Sequence, residues 1–363
     1  MKSHPAFIFA LLLIATTAAA QLARQTQPSH TVEDLRGVSA VSQQIAWASG
    51  THGTYLRTTD GGRTWIPGQV PDATTLDFRG VVAFSADEAF LMSAGPGDQS
   101  RIYHTADAGR HWQLQFTNTN PKGFFDSIAF WDPTHGIVLG DPIPDESGQL
   151  KFQLLITTDG QSWSPIPSSL LPAAVEGEGA FAASNSCLAI LPNDPNIWFA
   201  TGGKVARVFH SPDRGHTWQV FDTPIVHGSD STGIFSIAFR DAKHGVIAGG
   251  DYKHPDQDGP NLAFSSDGGK TWTISGIYPQ SYYSAVAYDR RFLRASPGSL
   301  DENQAHLRLF IVSGKSVYDF RPPNNPTRVS PPRKAGLQFN AVSPYPSGGA
   351  LLVGPRGSIA TIP

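Results

Sequence analysis

The chain has 363 residues, including 36 Gly and 29 Pro, with 40% apolar content, a turn-rich composition that excludes a disordered polymer. Its formal charge of −3 leaves no basic surface of the size that nucleic acid or an anionic membrane demands. Cys187 is the only cysteine, so no internal disulfide forms, and the 12 His include no His-x-His or His-x-x-x-His pair of metal-ligand spacing.

The first element in chain order is an expected export signal. Lys2 supplies the positive start, Ala6 to Ala15 form a short apolar core, and Ala18-Ala19-Ala20 is a small-residue cleavage site before Gln21. The apolar run is shorter than the roughly 20 residues that span a bilayer, and no later stretch qualifies as a membrane helix. Residues 1–20 are therefore expected to be removed, with export to the periplasm or medium as a monomer. Residues 21–31 read as a flexible lead-in and 32–363 as one domain, with Thr31 to Asp34 pairing onto the last repeat.

From there a turn motif recurs five times. Thr58-Thr59-Asp60-Gly61-Gly62-Arg63-Thr64-Trp65 is the first copy; the others begin at Thr105, Thr157, Ser211 and Ser265 and end at Trp112, Trp163, Trp218 and Trp272. Their aspartates, Asp60, Asp107, Asp159, Asp213 and Asp267, lie 47, 52, 54 and 54 residues apart. Such a period marks an array of equivalent β-units. In each copy the carboxylate can accept backbone N–H groups while Gly supplies positive φ and Trp anchors the turn. Five equivalent aspartates suit bracing; catalysis needs one asymmetric constellation.

Around each turn the chain reads as four short strands. In the third unit these are Asp126 to Phe130, Gly136 to Gly140, Phe152 to Ile156 and a strand after Trp163. Opening strands align at Leu35-Arg36-Gly37, Phe78-Arg79-Gly80, Phe125-Asp126-Ser127, Phe235-Ser236, Tyr283-Ser284-Ala285 and Phe339-Asn340-Ala341, with Phe181-Ala182-Ala183-Ser184 placed fourth. The expected fold is all-β, a seven-bladed β-propeller with four antiparallel strands per blade and Asp-box turns in five blades.

The turn resembles the Asp-box of the bacterial neuraminidase repeat. The signature from Trp47 to Gly62 is similar to the photosystem II stability and assembly factor-like propellers, a resemblance that runs from about Thr31 to Ile362. That resemblance implies an exported seven-bladed propeller that binds a membrane-protein subunit during assembly and catalyses nothing. Sialidases share the box, but their Arg-Ile-Pro stretch is missing here; the nearest is Leu35-Arg36-Gly37.

Propeller topology nominates a site. Inner strands begin on one face, second-to-third loops emerge there, and the Asp turns fall on the other. Arg36, Arg79, Asp126, Ser284 and Asn340 should therefore ring the channel mouth, with Phe235 as an apolar wall. Arg101, Glu178 and Tyr283 complete the expected contact ring, Glu178 having Arg36 and Arg79 as counter-charges. Two expanded loops, Gly140 to Gly148 and Gly250 to Gly259, share this face. They are oxygen-rich enough to permit calcium but lack Asp-x-Asp-x-Asp-Gly spacing, so no cofactor or metal is assigned. His135 and His244 occupy one equivalent turn position in two blades and read as structural, as does Cys187 in its apolar strand. The favoured function is an exported, non-catalytic propeller binding a protein or peptide partner in the cell envelope. The alternative is a glycoside hydrolase using Glu178 or Asp126 with Tyr283, which requires the pair to stand about 5 Å apart.

Overall fold

A computed structural model describes residues 25–276, 281–292, 308–313, 316–320 and 338–363. The expected signal segment and its cleavage site lie outside them. Seven antiparallel sheets follow one another along the chain. Blade 1 comprises Leu35–Ala40, Ala46–Gly50, Thr54–Thr58 and Ile66–Gln69; blade 2 comprises Asp77–Ala83, Ala89–Ala94, Arg101–Thr105 and Gln113–Thr117. Blade 3 runs from Phe125–Asp132 to Ser164–Pro165, and blade 4 from Leu188–Ile190 to Gln219–Asp222. Blade 5 runs from Thr232–Phe239 to Thr273–Ile274, and blade 6 shows Ala285–Tyr288, Leu309–Ser313 and Ser316–Phe320. Blade 7 holds Ala341–Pro344, Ala350–Gly354 and Ser358–Ile362. No helix among the described residues is long and apolar enough to cross a membrane.

The ring closes through the N-terminal segment. Gln25–Gln27 forms the outermost strand of blade 7, pairing Gln25 with Thr361 and Gln27 with Ile359. The strand therefore falls inside the stretch read as a flexible lead-in, and Thr31 to Asp34 do not supply it. Among the described residues they meet blade 7 at a turn, where the Gly357 N–H donates to Glu33 O and the Arg356 N–H to Asp34 Oδ1.

Seven apolar clusters fill the seven gaps between neighbouring blades. Each Asp-box Trp belongs to the gap between its own blade and the preceding one: Trp65 between blades 7 and 1, Trp112 between 1 and 2, Trp163 between 2 and 3, Trp218 between 3 and 4, and Trp272 between 4 and 5. The turn and the wedge are thus one device. The Thr58 hydroxyl donates to Asp60 Oδ1 at 2.9 Å and accepts the Gly62 N–H at 2.9 Å, and the Thr64 N–H donates to Asp60 Oδ1 at 2.9 Å. The same net recurs at Asp107, Asp159, Asp213 and Asp267. These donors hold Asp107 down at about 2, chiefly through the His111 backbone N–H. Asp132 and Asp241 likewise accept from His135 and His244 in two equivalent hairpin turns, a structural use of both histidines.

Innermost strands have unpaired edges, which side chains cover. Ser39 Oγ accepts the Ala83 N–H, Ser343 Oγ the Ala40 N–H, Ser236 Oγ the Val286 N–H and Asn185 Oδ1 the Ile128 N–H, all between different blades. Blade 4 departs from the expected alignment, because its inner strand is Leu188–Ile190 and not the stretch beginning at Phe181. The preceding residues are used otherwise.

Candidate functional site

Four inner strands carry a β-bulge at one equivalent position. The ladder skips from Leu35 to Gly37, from Phe78 to Gly80, from Phe125 to Ser127 and from Ile234 to Ser236. The unpaired residues are Arg36, Arg79, Asp126 and Phe235. An extra residue in one strand bends it and re-aims its side chain. A fifth bulge, at Asp141 in the second strand of blade 3, lies beside the first in that blade, since Phe125 pairs with Gly140.

The segment 180–187 lies across the axis at this end. Its Ala182 carbonyl accepts from Arg79 Nη1 of blade 2 at 3.0 Å, and Asn185 bonds Ser127 and Ile128 of blade 3. Ser184 Oγ donates to Ser284 O of blade 6 at 2.7 Å, and Ser186 Oγ to Ser236 Oγ of blade 5 at 2.8 Å. One segment bound to four other blades floors the channel, so the mouth is a basin rather than a through-hole. This use of the chain explains why blade 4 begins its inner strand late.

Electrostatics in the basin are uneven. Burial lowers the pKa of Arg36, the like charge of Arg79 adds to the effect, and Arg36 Nε is buried without a partner. Arg79 Nε donates to Asp77 Oδ2 at 2.7 Å. Burial pushes Asp126 well above the ordinary carboxylate value, Asp141 raises it further, and Arg79 opposes. Asp126 Oδ2 has no hydrogen-bond partner. Burial also lifts Asp141 to about 6, although its Oδ1 accepts the Ala180 N–H at 2.9 Å. Two adjacent carboxyls sharing a buried site disfavour double ionisation. Tyr282 completes the wall: burial pushes its hydroxyl up, while Arg36 and Arg79 pull it down.

Several expected ring members have other work. Glu178 is fully buried, but its counter-charge is Arg207, not Arg36 or Arg79. Arg207 Nε donates to Glu178 Oε1 at 2.9 Å, Arg207 Nη2 engages Oε2, Thr201 Oγ1 donates at 2.7 Å and the Val175 N–H at 2.8 Å. The pair fastens the root of the axial segment, where Glu178–Gly179 pairs with Gly202–Gly203. Tyr283 is packed in the core between blades 5 and 6, edge-on to Tyr318, so the mouth residue is its neighbour Tyr282. Ser284 is buried against Val312 O, and Asn340 Nδ2 donates to Leu35 O, which ties blade 7 to blade 1. Arg101 stands at the rim of blade 2, donating to Asp98 O and Tyr103 Oη. Of the residues nominated for glycoside hydrolysis, Glu178 is held by four donors and Tyr283 faces a core.

Asp141, Tyr282 and Arg207 escaped sequence reasoning. Arg207 had a signal, because Arg207-Val208-Phe209-His210-Ser211 repeats Arg101-Ile102-Tyr103-His104-Thr105 at the same place in its blade. Asp141 had none, since a bulge in a second strand leaves no mark in the repeat. The loop read as Gly140 to Gly148 is mostly hairpin, paired as far as Pro144 with Leu150.

No family model matches the chain. It is 21% identical over 332 residues to the photosystem II assembly protein Ycf48 of Thermosynechococcus vestitus, covering 74% of this chain and 81% of that protein. A 66-residue stretch, 17% of this chain and 15% of that protein, is 36% identical to the photosystem II stability/assembly factor HCF136 of Arabidopsis thaliana. Among solved structures, YCF48 bound to D1 peptide matches with a TM-score of 0.61 at 14% identity, over 94% of this chain and 96% of that one. The WD40 propeller domain of Doa1 matches with a TM-score of 0.58 at 11% identity, over 93% and 97%. At such identities these structures speak for the fold. The chain is a seven-bladed β-propeller similar, across most of its length, to the photosystem II assembly protein Ycf48.

Proposed function

We propose that this propeller is a non-catalytic binding module that presents its floored mouth to a protein or peptide partner in the cell envelope. The observation that carries the reading is the bulged arginine pair. Burial and the like charge of Arg79 disfavour the Arg36 cation, whose Nε is buried and unpartnered, while Asp77 and Asp34 oppose them only in part, so an incoming anionic group stabilises it further. The axial segment, bonded to four blades, favours docking onto the face over threading. Support also comes from the solved relative YCF48, whose structure holds a D1 peptide. Export, cleavage after Ala20 and action as a monomer belong to the same proposal, and it requires no cofactor or metal.

The test is capture from envelope extracts on immobilised protein, with the partner identified by mass spectrometry. Wild-type protein should retain a specific partner that is lost with Arg36→Ala plus Arg79→Ala. Full retention by a folded double variant would refute this face as the docking site.

A further inference from the structure

The mouth is chemically divided, and its halves meet at Tyr282. Arg36 and Arg79 form one half. In the other, Phe181 stacks on Phe235 with centroids 3.9 Å apart and planes 11° from parallel. Tyr252 stands edge-on to both at 6.5 and 6.1 Å, and Tyr282 meets Phe235 at 4.8 Å and 89°.

The fold does not account for this cluster. None of the four rings belongs to the seven interblade cores. Phe181 rides on the axial segment, Phe235 is a bulge residue, and Tyr252 remains 47% exposed on the blade 5 loop. The backbone is bared to seat Phe181: a Cβ at Gly202 would come within 2.3 Å of its ring and one at Gly233 within 3.1 Å. Phe235 is buried at 2% exposure beneath Phe181, whereas Phe181, Tyr282 and above all Tyr252 keep exposed ring surface. Rigid aromatic surface beside two arginines is the composition of a binding hot spot.

We infer that the aromatic half is the specificity element of the mouth, receiving a large apolar or aromatic side chain of a peptide whose neighbouring carboxylate sits on Arg36 and Arg79. The inference rests on the peptide-binding reading. Charge complementarity fixes the carboxylate, and Phe181 with Tyr252 offers ring surface to the adjoining residue, Phe235 backing Phe181 from below. Tyr282 touches the aromatic group while lying within the field of both arginines, so the two recognitions are contiguous. An acidic side chain next to the apolar one supplies the carboxylate, a free chain terminus being the other source that the probes separate.

The test uses the full protein and dye-labelled hexapeptides on one Gly-Ser scaffold, followed by fluorescence anisotropy. Amidated probes carry a central Phe-Asp, Ala-Asp or Phe-Asn pair, and two further probes end in Phe or Ala with a free carboxylate. A Phe probe with a carboxylate should bind about tenfold or more tightly than its Ala counterpart, and whichever carboxylate form binds identifies the source. Tyr252→Ala should erase the Phe advantage while leaving the Ala probe unchanged, and Phe181→Ala should repeat this if folded. Arginine-dependent binding without a Phe advantage, or an advantage that survives Tyr252→Ala and Phe181→Ala, overturns the aromatic assignment and leaves the peptide reading standing. No arginine-dependent binding by any probe overturns both.

Discussion

Asp141→Asn should stabilise the protein, and only above a defined pH. Burial raises the Asp141 carboxyl from 3.8 to about 6 in the fold, so the folded state binds the proton more tightly than the unfolded chain does. Stability from this group is therefore full below pH 4, falls as pH rises from 4 to 6, and stays low above. At about 1.36 kcal/mol per pH unit the displacement corresponds to about 3 kcal/mol. Asp141 keeps some solvent contact, so roughly 2 kcal/mol is the expected gain on neutralisation. Asn retains an oxygen for the Ala180 N–H, bonded at 2.9 Å, and relieves the repulsion that raises Asp126. Thermal melts from pH 4 to 8 should place Asp141→Asn above wild type by about 3 °C at pH 8, with the curves merging near pH 4. A variant less stable at pH 8 than wild type would refute the buried-pair argument.

Three more outcomes follow from packing and pairing. Trp65 is 1% exposed between blades 7 and 1, and its Nε1 donates to Gln27 Oε1; Trp65→Ala should cost about 3–5 kcal/mol in a denaturant titration. Glu178→Gln leaves the Arg207 charge buried against a neutral partner and should cost about 3 kcal/mol, while Glu178→Met with Arg207→Met should recover part of that loss. Deleting residues 21–27 should leave a folded but open ring, read as faster amide exchange at Ser358–Ile362 with blades 2 to 4 unchanged.

Architecture was legible because its instructions are local. Each box fits its hydroxyl, aspartate, glycine and tryptophan into eight residues or fewer, and the repeat period then counts blades. Positions such as Arg36, Arg79, Asp126 and Phe235 were legible for the same reason, being equivalent residues on equivalent strands. The repeat does not encode the rest. Glu178 and Arg207 are 29 residues apart in the chain, and their pairing depends on the hairpin that fastens the axial segment. The late start of blade 4 follows from that segment crossing to four other blades. Tyr282 and Tyr283 are indistinguishable as letters, and only strand register sends one to the mouth and the other to a core. The closing strand has three residues, too few for any alternation to reveal it.

The central claim is that recognition belongs to the mouth and bracing to the Asp turns. Photo-crosslinking compares them directly, with a benzophenone side chain placed at Tyr252 on the mouth or at Arg63 or Lys270 on the Asp-turn face. Irradiation in envelope extract should give one dominant adduct from the mouth position, abolished by adding Arg36→Ala and Arg79→Ala, and none from the other two. The same adduct formed from Arg63 or Lys270, and absent from Tyr252, would contradict the account.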